Sequence, residues 1–391
     1  MAGQMVLRAT TRGAERTRLE RDCDVLICGA SFAGLAVARE LAGAGADVLV
    51  IDRYELGERQ TSACAMPTVW MQALDLMDSW RQSFDEMVVH TPYRTSRWSL
   101  PWSFSTFDYR ELCALLWEQA ACPELELETA TVTGREGLTV HTDRGELRAP
   151  LIVDGLGWRR VLSNATPIQP PNARLSRGLE VHPDGHGEQM QLWIDHRYVR
   201  AGYGWSFPAR DELRVGIGSF WPAHHVKEPT VRLAHDLGLP PDGYQGNWIP
   251  HKLRAAVEDE VFFAGDSAGH CLPLTAEGIR TALYFGLACG RELRAVLDGR
   301  ATRGQALARY GAFSAGHERK YDSLFKLQRA IGRMTPSRAV TALAIAFESR
   351  RVSHWAFEHY LAIAPPTFVG ERPPTLGQTP PARRAAVAVA S

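Results

Sequence analysis

The sequence predicts an α/β chain, α+β overall, and three observations carry that prediction. Residues 24–29 are a short apolar run ending in glycine, residues 33–44 are rich in alanine and leucine, and residues 46–52 are a second apolar run. This is a β-α-β unit, and unbroken apolar strands belong to a parallel sheet covered on both faces. Residues 175–220 alternate instead, as antiparallel strands do. From about residue 275 to 362 the pattern is helical.

The 391 residues leave room for two packed units. Lys+Arg and Asp+Glu stand at 44 each, so the basic excess of a nucleic-acid binder is missing. The seven cysteines are scattered with no CxxC pair, which argues against a metal site or disulfide framework and for a reducing cytoplasm. The N-terminus lacks the apolar stretch of a secretory signal, and no run reaches the ~20 apolar residues that cross a bilayer. The expected protein is cytoplasmic, with peripheral membrane contact as the most a membrane could offer.

Residues 29–34 read GxSxxG between strand and helix. Gly29 permits the tight turn, Ser31 is small enough for a pyrophosphate to approach, and Gly34 lets helix and strand pack closely. The helix start offers free N–H groups to phosphates. Asp52 ends the next strand, 18 residues after Gly34, where it can accept from a ribose diol. A ligand-free strand–turn–helix is the bland alternative. Further on, residues 261–266 place Asp266 at the end of another buried strand, ahead of a long helix. Such a carboxylate can bind ribityl hydroxyls, and the helix start can stabilise charge on a reduced flavin. An Asp that only caps a helix fits the same pattern.

Gly265-Asp266 with Pro273, Asp154-Gly155 and Arg110 at a helix start occur in the order seen in flavoproteins of the p-hydroxybenzoate hydroxylase fold, which the chain resembles. The resemblance implies a Rossmann-like FAD-binding domain with an inserted antiparallel β-sheet substrate domain and C-terminal helices. It also implies FAD extended across both signatures. A second glycine-rich β-α-β unit is absent from the sequence, so NAD(P)H or another electron donor, such as ferredoxin or a reductase, would visit transiently. The expected domains are a loose extension (1–22), the FAD domain (23–170 plus 255–300), the substrate sheet (171–254), a helical region (301–370) and a disordered tail (371–391). Residues 55–108 read as loop-rich.

Residues 203–218 read YxWxFP, seven residues, then GxG. This resembles the geranylgeranyl reductase family, where the motif faces the flavin. The resemblance implies reduction of C=C bonds in an isoprenoid or other hydrophobic substrate. A monooxygenase hydroxylating an aromatic or polyketide-like substrate is the alternative. The sequence departs from the family at Ala276 (usually Gly), Ser31 (Gly) and Phe32 (Pro). Tyr203, Trp205 and Phe207 alternate and so share one face, lining either a substrate tunnel or an ordinary core. Tyr203, Trp205 and His270 are the candidate catalytic residues; His270 is either a proton donor or an idle loop residue. Cys64 is either a flavin contact or an inert buried thiol. The resemblance assigns the cofactor to Gly29, Ser31, Ala33, Gly34, Asp52, Arg53, Cys64, Ala65, Arg110, Val132, Gly265, Asp266, Pro273, Gly278 and Ile279. Trp98, Trp102 and Phe104 either cover the pocket or fill a domain interface.

Overall fold

The computed structural model describes residues 17–60, 62–165, 175–333 and 338–370. Both predicted ends, 1–16 of the extension and the tail 371–391, lie outside them. The apolar runs form the centre of a six-stranded sheet. Its order is Val257–Glu258, Val261–Phe263, Leu151–Asp154, Val25–Cys28, Val48–Asp52 and Leu125–Thr129, parallel except at the first pair. Every side chain of Val25–Cys28 is buried, in a core shared with helix residues such as Leu35 and Phe285 and with Val140 and Leu147 of a smaller sheet. Each such aliphatic contributes about 1.5–3 kcal/mol of hydrophobic stabilisation. The helices Phe32–Leu41 and Ile279–Leu297 pack together, and Gly286 and Gly290 let their backbones approach.

The second sheet has eight strands, in the order Gln245–Pro250, Leu175–Val181, Glu212–Ser219, Gly202–Ala209, Met190–Trp193, Trp80–His90, Thr95–Phe107 and Ala65–Pro67. This corrects the loop-rich reading of 55–108. Trp80–His90 and Thr95–Phe107 form a long hairpin that closes where the N–H of Thr91 donates to the Arg94 carbonyl at 2.9 Å. The alternation was hidden because the hairpin is half-buried and bulged, with Ser, Trp and charged residues on both faces. The sheet against which a substrate can lie therefore draws on 65–107 as well as on 175–250.

Residues 21–22, assigned to the loose extension, pair with Leu147–Arg148 at the edge of a small four-stranded sheet. The expected long helix begins at Ile279 rather than 275, because Leu274 and Ala276 take left-handed backbone angles. Among the described residues, the helices Arg303–Ala315, Glu318–Arg333, Arg338–Ala346 and Arg350–Leu361 lie beyond it, as predicted.

Candidate active site

A cavity of about 1400 Å³ runs between the two large sheets and under the C-terminal helices. Its first wall is the glycine loop. Gly29 turns at φ +113°, where a Cβ would press on the Gly155 carbonyl, and any side chain on Gly34 would strike the Gly29 carbonyl. Both glycines shape the loop from beneath and do not line the cavity. Ser31, Ala33, Asp52, Arg53 and Val132 do line it. The Asp52 carboxylate accepts from the backbone N–H of Ala30 (2.8 Å) and Tyr54 (2.9 Å), which fixes it at the loop's edge.

Asp266 stands on the second wall with Gly265, Gly278 and Ile279. Among the described residues no hydrogen bond reaches its carboxylate. Burial pushes that carboxyl up to about 6, against the opposing pull of the Arg254 guanidinium. An unpartnered carboxylate on a groove suits a ligand rich in hydroxyls. The N-terminus of Ile279–Leu297 opens onto the same wall with its partial positive charge. Pro273 is buried behind the loop, and its carbonyl accepts from the N–H of Thr275 at 2.9 Å. Leu274 (φ 72°), Ala276 (φ 52°) and Cys64 (φ 47°) all line the cavity in left-handed conformations. Such strain, about 1–3 kcal/mol each, gathers at ligand clamps. At Ala276 it also shows why glycine would sit there more easily.

These residues fit an extended FAD: a phosphate-admitting loop, a ribose acceptor, a free carboxylate for ribityl hydroxyls and a helix start. Arg110 does not join them. It is exposed, packs on Gly57 and lies off the cavity, while Tyr109 beside it faces the loop, with its hydroxyl 3.2 Å from Ser31 Oγ.

The opposite wall is the predicted aromatic face. Tyr203, Trp205 and Phe207 all line the cavity, with Ala65 and Cys64 beside them. The spacing of the motif now has a cause. Register sets Trp205 opposite Gly216 and Tyr203 opposite Gly218. The indole of Trp205 lies flat over this bare floor, and a Cβ on Gly216 would overlap its ring. Lying so, Trp205 Nε1 donates to Glu180 Oε2 at 3.1 Å on the next strand but one. The Tyr203 hydroxyl donates to the Thr275 carbonyl and so ties this sheet to the Asp266 wall. Trp98 and Phe104 line the cavity, while Trp102 stacks on Tyr360 behind it.

His270 requires a correction. It is wholly buried, stacks on Phe285 at 3.7 Å, and its Nε2 meets Ser314 Oγ at 3.0 Å. Burial holds its imidazole well below the usual value, hence neutral. It does not reach the cavity and is a core histidine. Burial likewise pushes the Cys64 thiol well up.

Sequence reasoning missed three residues. Glu180 was invisible because its partner lies across two strands. Arg214 is buried and gathers the carbonyls of Ala63, Cys64 and Phe107 at 2.9–3.1 Å, holding the strained Cys64 loop. Arg280 is buried too. It forks onto Glu277 at 2.8 and 2.7 Å and donates to the Ala364 carbonyl at 2.8 Å, while the Tyr360 hydroxyl donates to Glu277. This cluster fastens the last helices to the cavity loop.

The FAD dependent oxidoreductase family (DAO) matches residues 24–119, the segment that contains the glycine loop and Asp52. The chain is an FAD-dependent oxidoreductase. This oxidoreductase is 23 % identical over 336 residues to digeranylgeranylglycerophospholipid reductase 3 of Methanosphaera stadtmanae, covering 76 % of this chain and 83 % of that one. Its fold matches a geranylgeranyl bacteriochlorophyll reductase-like protein of Thermoplasma acidophilum with a TM-score of 0.75 at 16 % identity, over 90 % of this chain and 98 % of the other. A "probable FAD-dependent monooxygenase" of Pseudomonas aeruginosa, PqsL, matches at 0.58 and 17 % identity, over 87 % and 100 %.

Proposed function

We propose that this oxidoreductase saturates carbon–carbon double bonds in a prenyl lipid or a similar long apolar substrate. One observation carries the reading: the Asp266 wall and the Tyr203–Trp205–Phe207 face oppose each other across one cavity. The names of its relatives point to the same substrate class. When bound, FAD supplies the hydride. Asp52 and the glycine loop hold the dinucleotide, and Asp266 holds the ribityl chain. The tie from Tyr203 to Thr275 sets the spacing between the walls. Phe207, Met190, Leu192 and Phe357 give the cavity an apolar arm that excludes water.

NAD(P)H, ferredoxin or a separate reductase would deliver the electrons. The cavity mouth would meet a membrane surface. Among the described residues, no helix is long and apolar enough to cross a membrane. Yet Leu327, Leu343 and Trp355, which line the cavity, are 46 %, 43 % and 63 % exposed. That apolar rim suits a lipid substrate drawn from a bilayer.

Anaerobic turnover tests the reading. The reduced enzyme should add two hydrogen atoms to a prenyl lipid without oxygen. A product that gains one oxygen atom, only in air, would instead mark a monooxygenase.

A further inference from the structure

Adding hydride to one carbon of an isolated double bond leaves the other carbon in need of a proton. The apolar cavity gives water little access, so the wall must supply it. Most titratable groups on that wall are already committed. Asp52 holds the loop, and Glu277 is locked to Arg280 and Tyr360. The hydroxyl of Tyr203 is spent on Thr275, and burial pushes the thiols of Cys64 and Cys271 well up. Asp266 belongs to the cofactor wall, and His270 is sealed in the core.

Glu180 remains. It is 2 % exposed and lines the cavity. One oxygen accepts from Trp205 Nε1. The other, Oε1, is buried without a hydrogen bond among the described residues. It lies 3.0 Å from Nε2 of His182, which is not aligned to bond it. The other ring nitrogen, Nδ1, lies 3.8 Å from Glu212 Oε2, and the Glu212 side chain is 34 % exposed. Carboxylate, imidazole and carboxylate thus step from the cavity wall to solvent. Other groups facing Glu180 are Arg214, which is paired with Glu212, the Cys64 thiol, and Gln245 across the strand pair.

We propose that Glu180 is the proton donor of the reductive step and is recharged through His182 and Glu212. This rests on reading the site as a double-bond reductase. The reduced flavin, when bound, would supply hydride to one carbon as the π bond breaks. Its electron pair takes the proton of the Glu180 carboxyl at the other carbon. The carboxylate left behind regains a proton through the His182 imidazole, which passes it inward from solvent beside Glu212.

The test uses pre-reduced holoenzyme and a short prenyl alcohol, without oxygen, followed by flavin reoxidation and product mass. Glu180→Gln retains an acceptor for Trp205. It should bind flavin and substrate as the wild type does, yet reoxidise about 10²-fold more slowly or worse. In D2O the wild-type product should carry two solvent deuteriums, because both the reduced flavin's N–H and the Glu180 carboxyl exchange with solvent. His182→Gln should match the wild type in this first turnover and fall behind it in repeated turnover with a chemical reductant, because the relay acts only in recharging Glu180. If Glu180→Gln reoxidises within twofold of the wild type while saturated product forms, the assignment is wrong. It is equally wrong if the loss comes with equally weakened substrate binding and an unchanged pH profile. If the wild type forms no saturated product, the reductase reading falls and takes this assignment with it.

Discussion

Gly216 is bare because the indole of Trp205 occupies the space where a side chain would go. Gly216→Ala should therefore cost about 1–3 kcal/mol through overpacking, seen as a lower Tm, and should also weaken substrate binding as the indole lifts. Asp266 gives a prediction in pH. Its carboxyl is raised from an ordinary 3.8 to about 6. A group raised in the folded state favours folding below its ordinary value and loses that contribution as pH rises through the folded one. The apoprotein should thus gain up to about 3 kcal/mol at pH 7.5 from Asp266→Asn, and the gain should vanish below about pH 4. The same variant should lose FAD, seen as loss of colour. A pH-independent difference would contradict the first point, and full flavin content the second. At this scale the motifs were legible, since Asp52, Asp266 and the three aromatics all reach the cavity. Glu180 and His270 were not. The role of the first depends on strand register, and the second is sealed only when Phe285 and Ser314 pack around it.

Among the elements, the join between the cavity loop and the last helix stands out. Arg280 and Glu277 are a buried ion pair with Tyr360 attached, and Trp70 Nε1 adds a donor to the Ala364 carbonyl at 3.0 Å. Breaking such a pair strands a charge, so Arg280→Met should destabilise by about 3–5 kcal/mol in chemical denaturation. The double variant with Glu277→Gln should recover part of that, because the stranded carboxylate is then gone. Equal losses in the single and double variants would contradict the latch. The β-α-β unit and the long helix were readable from apolar runs and small residues. The hairpin Trp80–Phe107 was not, because its half-buried strands carry no clean alternation.

For the whole molecule, the apolar rim predicts an orientation on lipid. Holoenzyme should float with anionic vesicles, and Trp355→Ala with Leu343→Ser should abolish flotation while turnover of a short soluble prenyl alcohol persists. Loss of both together would mean that the rim supports the fold instead. The pairing of a nucleotide sheet with an antiparallel sheet was legible from the change in pattern near residue 175. The reach of the second sheet back to Ala65 was not, because long-range pairing leaves no local mark. The central claim is positional, and diffraction from holoenzyme crystals soaked with a prenyl lipid tests it most directly. The account predicts the tricyclic ring between Gly278 and Tyr203, with Asp266 on the ribityl chain and the lipid crossing Trp205. A ring found elsewhere, or a chain that avoids the Trp205 face, would contradict it.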